Sequence, residues 1–294
     1  LKPPKNCPQE YTVDKPAGLL EFLLRTMTGM SRNSVKSLLT RGAVSVGGKT
    51  ATKHDTPLLP GVTVSVAPPD DPRHIDIAKH LRIIYEDEEL IAIDKPAGLL
   101  AIATDREKTE TAYHLLTEHV RRENNKSRLF VVHRLDKDTS GVMIAAKNER
   151  IKLALQDQWN TLVQTRGYTA VSEGVFREKS GTVTSWLKET KTHFVYSGSR
   201  PGDGREAVTS YEVIRESAAY SLLGITLGTG RKNQIRVHMS DLGHPVAGDK
   251  KYGARTDPLG RLCLHAGLLE IRHPFSERLL VFQSDTPKDF LALF

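Results

Sequence analysis

Cysteine is nearly absent: the 294 residues hold two, Cys7 and Cys263. Two thiols cannot build a disulfide framework or a four-thiolate zinc site, so the fold must stand on its apolar core, and a reducing cytoplasm is the expected setting. Long apolar runs are also missing. The longest, such as "HAGLLEI", fall far short of the roughly 20 residues that a bilayer crossing requires, and the opening "LKPPKNCPQE" has no signal-peptide core. The chain starts without Met, so a few trimmed residues are expected ahead of Leu1. Several catalytic signatures are absent too. No Walker loop occurs. Ser140 lacks the glycine two positions earlier that a nucleophile elbow needs, because Asp138 stands there. "DTSG" comes within one letter of Asp-Thr-Gly, but no second copy supplies a paired carboxylate.

Acid is in the minority. Lys and Arg total 42 against 35 Asp and Glu, a formal charge of +7 with a pI near 9.3. Such an excess favours a polyanionic partner, because neutralised phosphates release their counterions. Hydrophobic residues at 38% and charged residues at 26% describe an ordinary globular protein, and the length suits two domains.

The composition breaks at "VAPPDDPRHIDIAKH", which is Pro-rich, charged and aperiodic. It reads as a linker over 67–80 between a small unit, 1–66, and a large one, 81–294. In the small unit, "GLLEFLLRTM" and "SRNSVKSLLTRG" set Leu20, Leu23 and Leu24, then Val35, Leu38 and Leu39, at helical spacing. Ser31 reads as the N-cap of the second helix and Gly42 as its stop. "AVSVGGKTA" and "GVTVSVAP" alternate as strands around a Gly-Gly turn. In the large unit, "RIIYEDEELIAID" predicts a hairpin, and "EAVTSYEVIRES" with "AYSLLGITLGTG" predicts consecutive antiparallel strands. "ERIKLALQDQWNTLVQ" predicts one amphipathic helix with Ile151, Leu155, Trp159 and Leu162 on its apolar face. Neighbouring strands without a regular crossover helix imply an α+β fold on a largely antiparallel mixed sheet. "DKPAGLL" occurs at both Asp14 and Asp94, but its unlike flanks speak against a duplication.

The stretch "FVVHRLDKDTSGVMIAAK" puts a burst of charge between two apolar runs. Strand, charged loop, strand holds a carboxylate rigidly at a cleft, since both neighbours are anchored by buried residues. His133 is expected to support this loop. Further on, "TLGTGRKNQ" leads from a strand through Gly228 and Gly230 into a helix. It is expected to leave free backbone N–H groups beside Arg231 and Lys232, a phosphate site. It is no dinucleotide loop, because Asn233 stands where the third glycine belongs. "HMSDLGHPVAGD" offers His238, Asp241, His244 and Asp249, which could suggest a metal site, but such residues around a Gly-Pro turn are more often structural or face a polyanionic partner.

"HRLDKDTSG" resembles, without a gap, the HRLDxxTSG signature of the RluA family of pseudouridine synthases. "DKPAGLL" at Asp94, "RGYTAVSEG", "LGTGRKNQIRVHMSDLGHPVAGDKKYG" and "LCLHAGLLEIRHP" resemble the family's other motifs in order, covering nearly all of 81–294. The resemblance implies a pseudouridine synthase fold with a central cleft and an isomerisation of uridine in RNA, without cofactor or metal. Asp136 falls at the family's catalytic aspartate. Arg236 falls at the arginine that pairs with it and would keep it charged in a dry pocket. Tyr168 falls at the active-site tyrosine, whose ring would stack on the uracil and whose hydroxyl would assist late proton removal from carbon. A buried carboxylate reaches a uridine only if the nucleotide is flipped out, and Arg134 matches the residue that fills the vacated space. Asn233 stands where relatives usually carry His, which leaves the local hydrogen bonding to be seen.

The small unit, with "SRxxVxxLLxxGxVxVxGK", resembles the RNA-binding module named after a small-subunit ribosomal protein. That likeness implies RNA contacts from Arg32, Lys36, Arg41 and Lys49. The expected protein is therefore a cytoplasmic, monomeric RNA pseudouridine synthase acting on 23S ribosomal RNA. Transfer RNA is the nearest alternative substrate. A non-catalytic RNA-binding or ribosome-assembly protein and a metal-dependent nuclease are the rivals from other classes. Whether the carboxylate attacks base or sugar stays open.

Overall fold

The computed structural model describes residues 9–28, 30–40, 42–66, 81–104 and 111–294. The chain falls into two compact units, Leu1–Ile75 and Asp76–Phe294. The expected linker, 67–80, lies outside the described residues.

The small unit runs β1 (Gln9–Thr12), β2 (Ala17–Gly18), α1 (Leu19–Thr26), α2 (Arg32–Thr40), β3 (Val44–Val46), β4 (Lys49–Thr50), β5 (Pro57–Leu58) and β6 (Thr63–Val66). Its four-stranded sheet has the order β1-β6-β3-β4. Ser31 Oγ accepts from the Ser34 N–H at 3.1 Å, the N-cap bond expected from the sequence. Gly47 and Gly48, at φ 55° and 80°, form the two-residue turn between β3 and β4, a backbone that L side chains rarely adopt. Leu23 from α1 and Val35, Leu38 and Leu39 from α2 bury against Val44 and Val64 of the sheet. The buried face of α1 is Leu19, Phe22 and Leu23, while Leu20 and Leu24 sit at its edge.

The large unit continues with β7 (Arg82–Glu86), β8 (Leu90–Lys95), α3 (Ala112–Glu123), β9 (Phe130–Val131) and β10 (Ser140–Ala146). Then come α4 (Glu149–Asp157), α5 (Trp159–Leu162), β11 (Val163–Glu173), β12 (Ser180–Glu189), β13 (Val195–Ser197), β14 (Arg205–Glu216) and β15 (Tyr220–Leu227). α6 (Gln234–Asp241), β16 (Leu264–Arg272), β17 (Leu279–Gln283) and α7 (Lys288–Leu291) complete it. One sheet of order β13-β12-β14-β15-β11-β16-β10-β8-β7 carries β9 and β17 at its side. All pairings are antiparallel except β10 with β16. This is the α+β architecture with a largely antiparallel mixed sheet that the strand pattern predicts.

The expected helix over 149–164 is two helices, because the chain departs from helical geometry at Gln158 and restarts at Trp159. Ile151, Leu155 and Leu162 still reach the core with β8, β10, β16 and β17. A second core joins Ala170 and Leu223 of the sheet to Ile235 and Met239 of α6. Buried Cys263 lies in it, its thiol pushed up to about 12 by burial and so unreactive. No helix among the described residues is long and apolar enough to cross a membrane. The two "DKPAGLL" copies fold differently. Lys15 is exposed beside the Asp14–Arg25 ion pair, whereas Lys95 is fully buried at the end of β8.

Candidate active site

The charged stretch is a loop, residues 132–139, between β9 and β10. Its two ends are fixed because β9 folds back on the far end of β10, with Val131 opposite Ala145. Every residue of β10 is buried. Within the loop the Asp136 carbonyl accepts from the Thr139 N–H at 3.2 Å, closing a turn, and buried Leu135 anchors it. The loop then enters β10 through Ser140, whose Oγ accepts from Arg261 at 2.7 Å and so donates to His265 Nδ1 at 2.9 Å. His133 Nε2 accepts from the Ile144 N–H at 3.0 Å, and its ring lies 5.0 Å from Trp159. Burial, with Arg166 adding to it, lowers this imidazole to about 4 and keeps it neutral. It braces the loop, as expected.

Lys95 grips the same loop from below. Its Nζ donates to the carbonyls of Pro96 at 2.8 Å, Leu99 at 2.8 Å and Lys137 at 3.0 Å. Burial lowers its pKa to about 8, against the pull of Asp138 and Asp136. Three acceptors use all three protons of an ammonium, so the geometry favours the charged form.

Asp136 opens onto a cavity of about 350 Å³ that is also lined by Arg134, Tyr168, Arg231, Lys232 and Arg236. Six residues expected from separate motifs therefore meet in one place. Arg236 projects from α6, its Nε and Nη2 on Asp249 at 2.6 and 2.7 Å and its Nη1 3.6 Å from Asp136 Oδ2. Burial pulls this guanidinium down, and Asp249, with Asp136 and Tyr252, more than offsets it, leaving it above its ordinary value. The brace on Asp136 is thus the outer end of a clamp on a second carboxylate, which the sequence did not reveal. The dry surroundings expected for Asp136 are not supplied by the protein alone: its side chain is 38% exposed, against 12% for Arg236 and 1% for Asp249.

Tyr168 comes from β11. Burial raises its hydroxyl to about 12, with Arg166 opposing and Asp136 adding to the rise. At neutral pH the phenol keeps its proton, so it takes up another only by passing its own on. Arg166, two residues earlier, lines the cavity and donates to the Gly228 carbonyl at 3.0 Å. It has no carboxylate partner among the described residues, and no sequence signal singled it out. Arg134 is exposed beside Asp136.

The turn before α6 corrects one expectation. Gln234 Oε1 accepts from the Arg231 N–H at 3.0 Å and from Thr229 Oγ1 at 2.8 Å, so part of the expected phosphate cradle is satisfied internally. Lys232 donates to Glu189 at 2.5 Å, and Arg231 Nε to the Glu206 carbonyl at 3.0 Å. Asn233 donates from Nδ2 to Asp136 Oδ2 at 2.5 Å and accepts at Oδ1 from the Tyr252 hydroxyl at 3.1 Å.

The His and Asp residues of "HMSDLGHPVAGD" do not converge. His238 bonds Thr209 and Ser185, His244 the Glu173 carbonyl, Asp241 Ser197, and Asp249 Arg236. On the small unit, Arg32 and Lys36 stand one helical turn apart on α2 and Lys49 opens β4, with Arg32 and Lys49 exposed. Arg41 lies outside the described residues.

The chain is similar to known proteins in sequence and in fold. A Bacillus subtilis protein named uncharacterized RNA pseudouridine synthase YlyB is 34% identical over 281 residues, spanning 93% of this chain and 91% of that one. The Nitrosomonas europaea ribosomal large subunit pseudouridine synthase D is 34% identical over 300 residues, spanning 97% and 86%. The solved structure of human RNA pseudouridylate synthase domain containing 4 superposes with a TM-score of 0.60 at 25% identity, covering 74% of this chain and 93% of that one. Residues 89–241, which hold Asp136, Tyr168, Asn233 and Arg236, match the RNA pseudouridylate synthase family. The chain belongs to that family and is an RNA pseudouridine synthase, an enzyme that isomerises uridine to pseudouridine within RNA.

Proposed function

We propose that Asp136 is the nucleophile and that it acts on a uridine turned out of a structured region of 23S ribosomal RNA. The observation that carries the reading is the placement of its carboxylate at the wall of a nucleotide-sized cavity, 3.6 Å from a guanidinium held elsewhere. The carboxylate bonds to carbon, either of the uracil ring or of C1′, while the C1′–N1 bond breaks. The freed base turns, C1′ bonds to C5, the carboxylate leaves, and the C5 proton departs as N1 gains one. Tyr168 supplies a ring face for the base and a hydroxyl that relays the C5 proton. Arg134 occupies the space left by the everted nucleotide, and Arg166 with Arg231 meets a flanking phosphate. The test uses RNA from cells lacking the gene, labelled with tritium at uridine C5. Asp136→Asn and Asp136→Ala are expected to release no tritium while still binding the RNA, and full release by either variant would end the assignment.

Ribosomal RNA is favoured by the likeness, along 97% of this chain, to a relative whose name places it on the large ribosomal subunit. Residues 1–66 serve in this reading as a module like that of ribosomal protein S4, with Arg32, Lys36, Arg41 and Lys49 on RNA phosphates. Deleting residues before about Arg73 is expected to weaken RNA binding and leave the chemistry intact. Mapping pseudouridines in ribosomal and transfer RNA from cells with and without the gene decides the target, and a lost site in transfer RNA alone would reject the ribosomal one.

A further inference from the structure

Asn233 starts α6 with a left-handed backbone, φ 53° and ψ 19°, and its side chain makes no cap bond to the helix. A non-glycine residue in that region carries a conformational cost, and Asn is among the residues that bear it best. What its side chain does is turn to the carboxylate, donating from Nδ2 to Asp136 Oδ2 at 2.5 Å. Its Oδ1 is occupied by the Tyr252 hydroxyl at 3.1 Å, and that hydroxyl in turn accepts from the Val195 N–H at 3.3 Å. The chain of donors runs one way, from backbone to phenol to amide to carboxylate. A flipped amide would set its carbonyl oxygen against the carboxylate and its NH2 against the phenol, so a single orientation survives. Both Asn233 and Tyr252 are buried, and burial raises the Tyr252 hydroxyl, which keeps the proton it donates.

We propose that Asn233, oriented by Tyr252, is a positioning residue that ties down Oδ2 of Asp136 and leaves Oδ1 as the attacking atom. This rests on Asp136 being the nucleophile. Arg236 cannot set the carboxylate's rotation by itself, because it is committed to Asp249 and reaches Oδ2 only at 3.6 Å, beyond a hydrogen bond. It supplies charge, and the amide supplies direction. Oδ1 has no partner among the described residues, so its lone pairs are open to the cavity. A neutral amide also holds this orientation at every pH, whereas an acidic or imidazole side chain there would titrate beside the nucleophile.

The experiment measures tritium release from the C5-labelled RNA with enzyme in excess, and affinity by filter binding. Tyr252→Phe keeps the ring under Arg236, whose guanidinium lies 4.9 Å from it, and removes only the orienting hydroxyl. Asn233→Gly removes the amide at a position whose backbone glycine adopts without strain. Losing a hydrogen bond to a charged group is expected to slow release about tenfold to a hundredfold in Asn233→Gly and roughly tenfold in Tyr252→Phe, with affinity nearly unchanged. Asn233→Asp sets two carboxyl groups at hydrogen-bond distance, and their shared proton is expected to move the acid limb of the rate profile up by about one pH unit or more. A merely structural residue would lower stability without moving that limb. Parental rates in both Tyr252→Phe and Asn233→Gly, or an unshifted limb in Asn233→Asp, overturn the proposal, provided Asp136→Asn is inactive. Full activity in Asp136→Asn overturns instead the reading on which it rests.

Discussion

Arg236 is held by Asp249 through two hydrogen bonds, and the nitrogen left over faces Asp136. Removing one partner of a buried pair leaves the other uncompensated, a loss of about 3–5 kcal/mol. Asp249→Asn is therefore expected to lower the unfolding midpoint sharply and to slow tritium release, although it touches no substrate. Replacing both residues, Asp249→Leu with Arg236→Met, is expected to return most of the stability and none of the activity. Equal recovery of both would show that the clamp serves the fold alone.

Gly141 lies one residue into β10 at φ 112°, and a Cβ built there would stand 2.2 Å from the Ala266 carbonyl oxygen. That neighbour is backbone at the parallel β10–β16 pairing, so it cannot step aside. Gly141→Ala is expected to cost roughly 2–4 kcal/mol from strain and overpacking, or to prevent folding. Urea unfolding measures it, and a midpoint equal to the parent's rejects the strain.

Lys95→Met deletes a buried cation, takes the side-chain donor from the carbonyls of Pro96 and Leu99, and leaves the Lys137 carbonyl with the Gly98 N–H alone. Losing the hydrogen bonds of a charged donor to these part-buried carbonyls costs about 1–3 kcal/mol in all, so a net loss is expected although methionine is the more apolar residue. Because Lys137 follows Asp136, the loop carrying the carboxylate should loosen. Faster amide hydrogen exchange across residues 132–139 is the measurement, and parental exchange would show that the loop stands without Lys95.

The hairpin of β7 and β8, the run of β14 and β15 and the loop of Asp136 were legible because alternation and charge placement are local properties of the chain. That Asp136, Tyr168 and Arg236 belong together was legible through motifs, and they line one cavity. The roles of Asp249, Lys95 and Tyr252 were not, since each acts through a contact that folding makes, with Arg236, the Lys137 carbonyl and Asn233, and carries no local mark of it. The Arg231 N–H, expected to be free, is taken by Gln234 for a related reason: a free N–H is a backbone expectation, and whether a side chain reaches back to it is decided by packing. The break at Gln158 interrupts an apolar spacing that would suit a continuous helix just as well, because Ile151, Leu155 and Leu162 reach one core in either case.

His133 provides a test that depends on pH. Its folded value of about 4 lies below the ordinary 6.5 because burial disfavours the imidazolium, with Arg166 as a second cause. Between those values the unfolded chain binds a proton that the folded chain refuses. Stability attributable to His133 is therefore fully present above 6.5 and is lost as pH falls toward about 4. Linkage sets the size at roughly 1–3 kcal/mol. His133→Gln keeps an acceptor for the Ile144 N–H and does not titrate. The difference in unfolding free energy between parent and variant isolates this one group, since the other titrating side chains are common to both. That difference should shift against the parent as pH drops from 7.5 through 5.5 to 4. A constant difference would mean that the imidazole takes its proton in the folded loop, leaving the Ile144 N–H facing a donor three residues from Asp136.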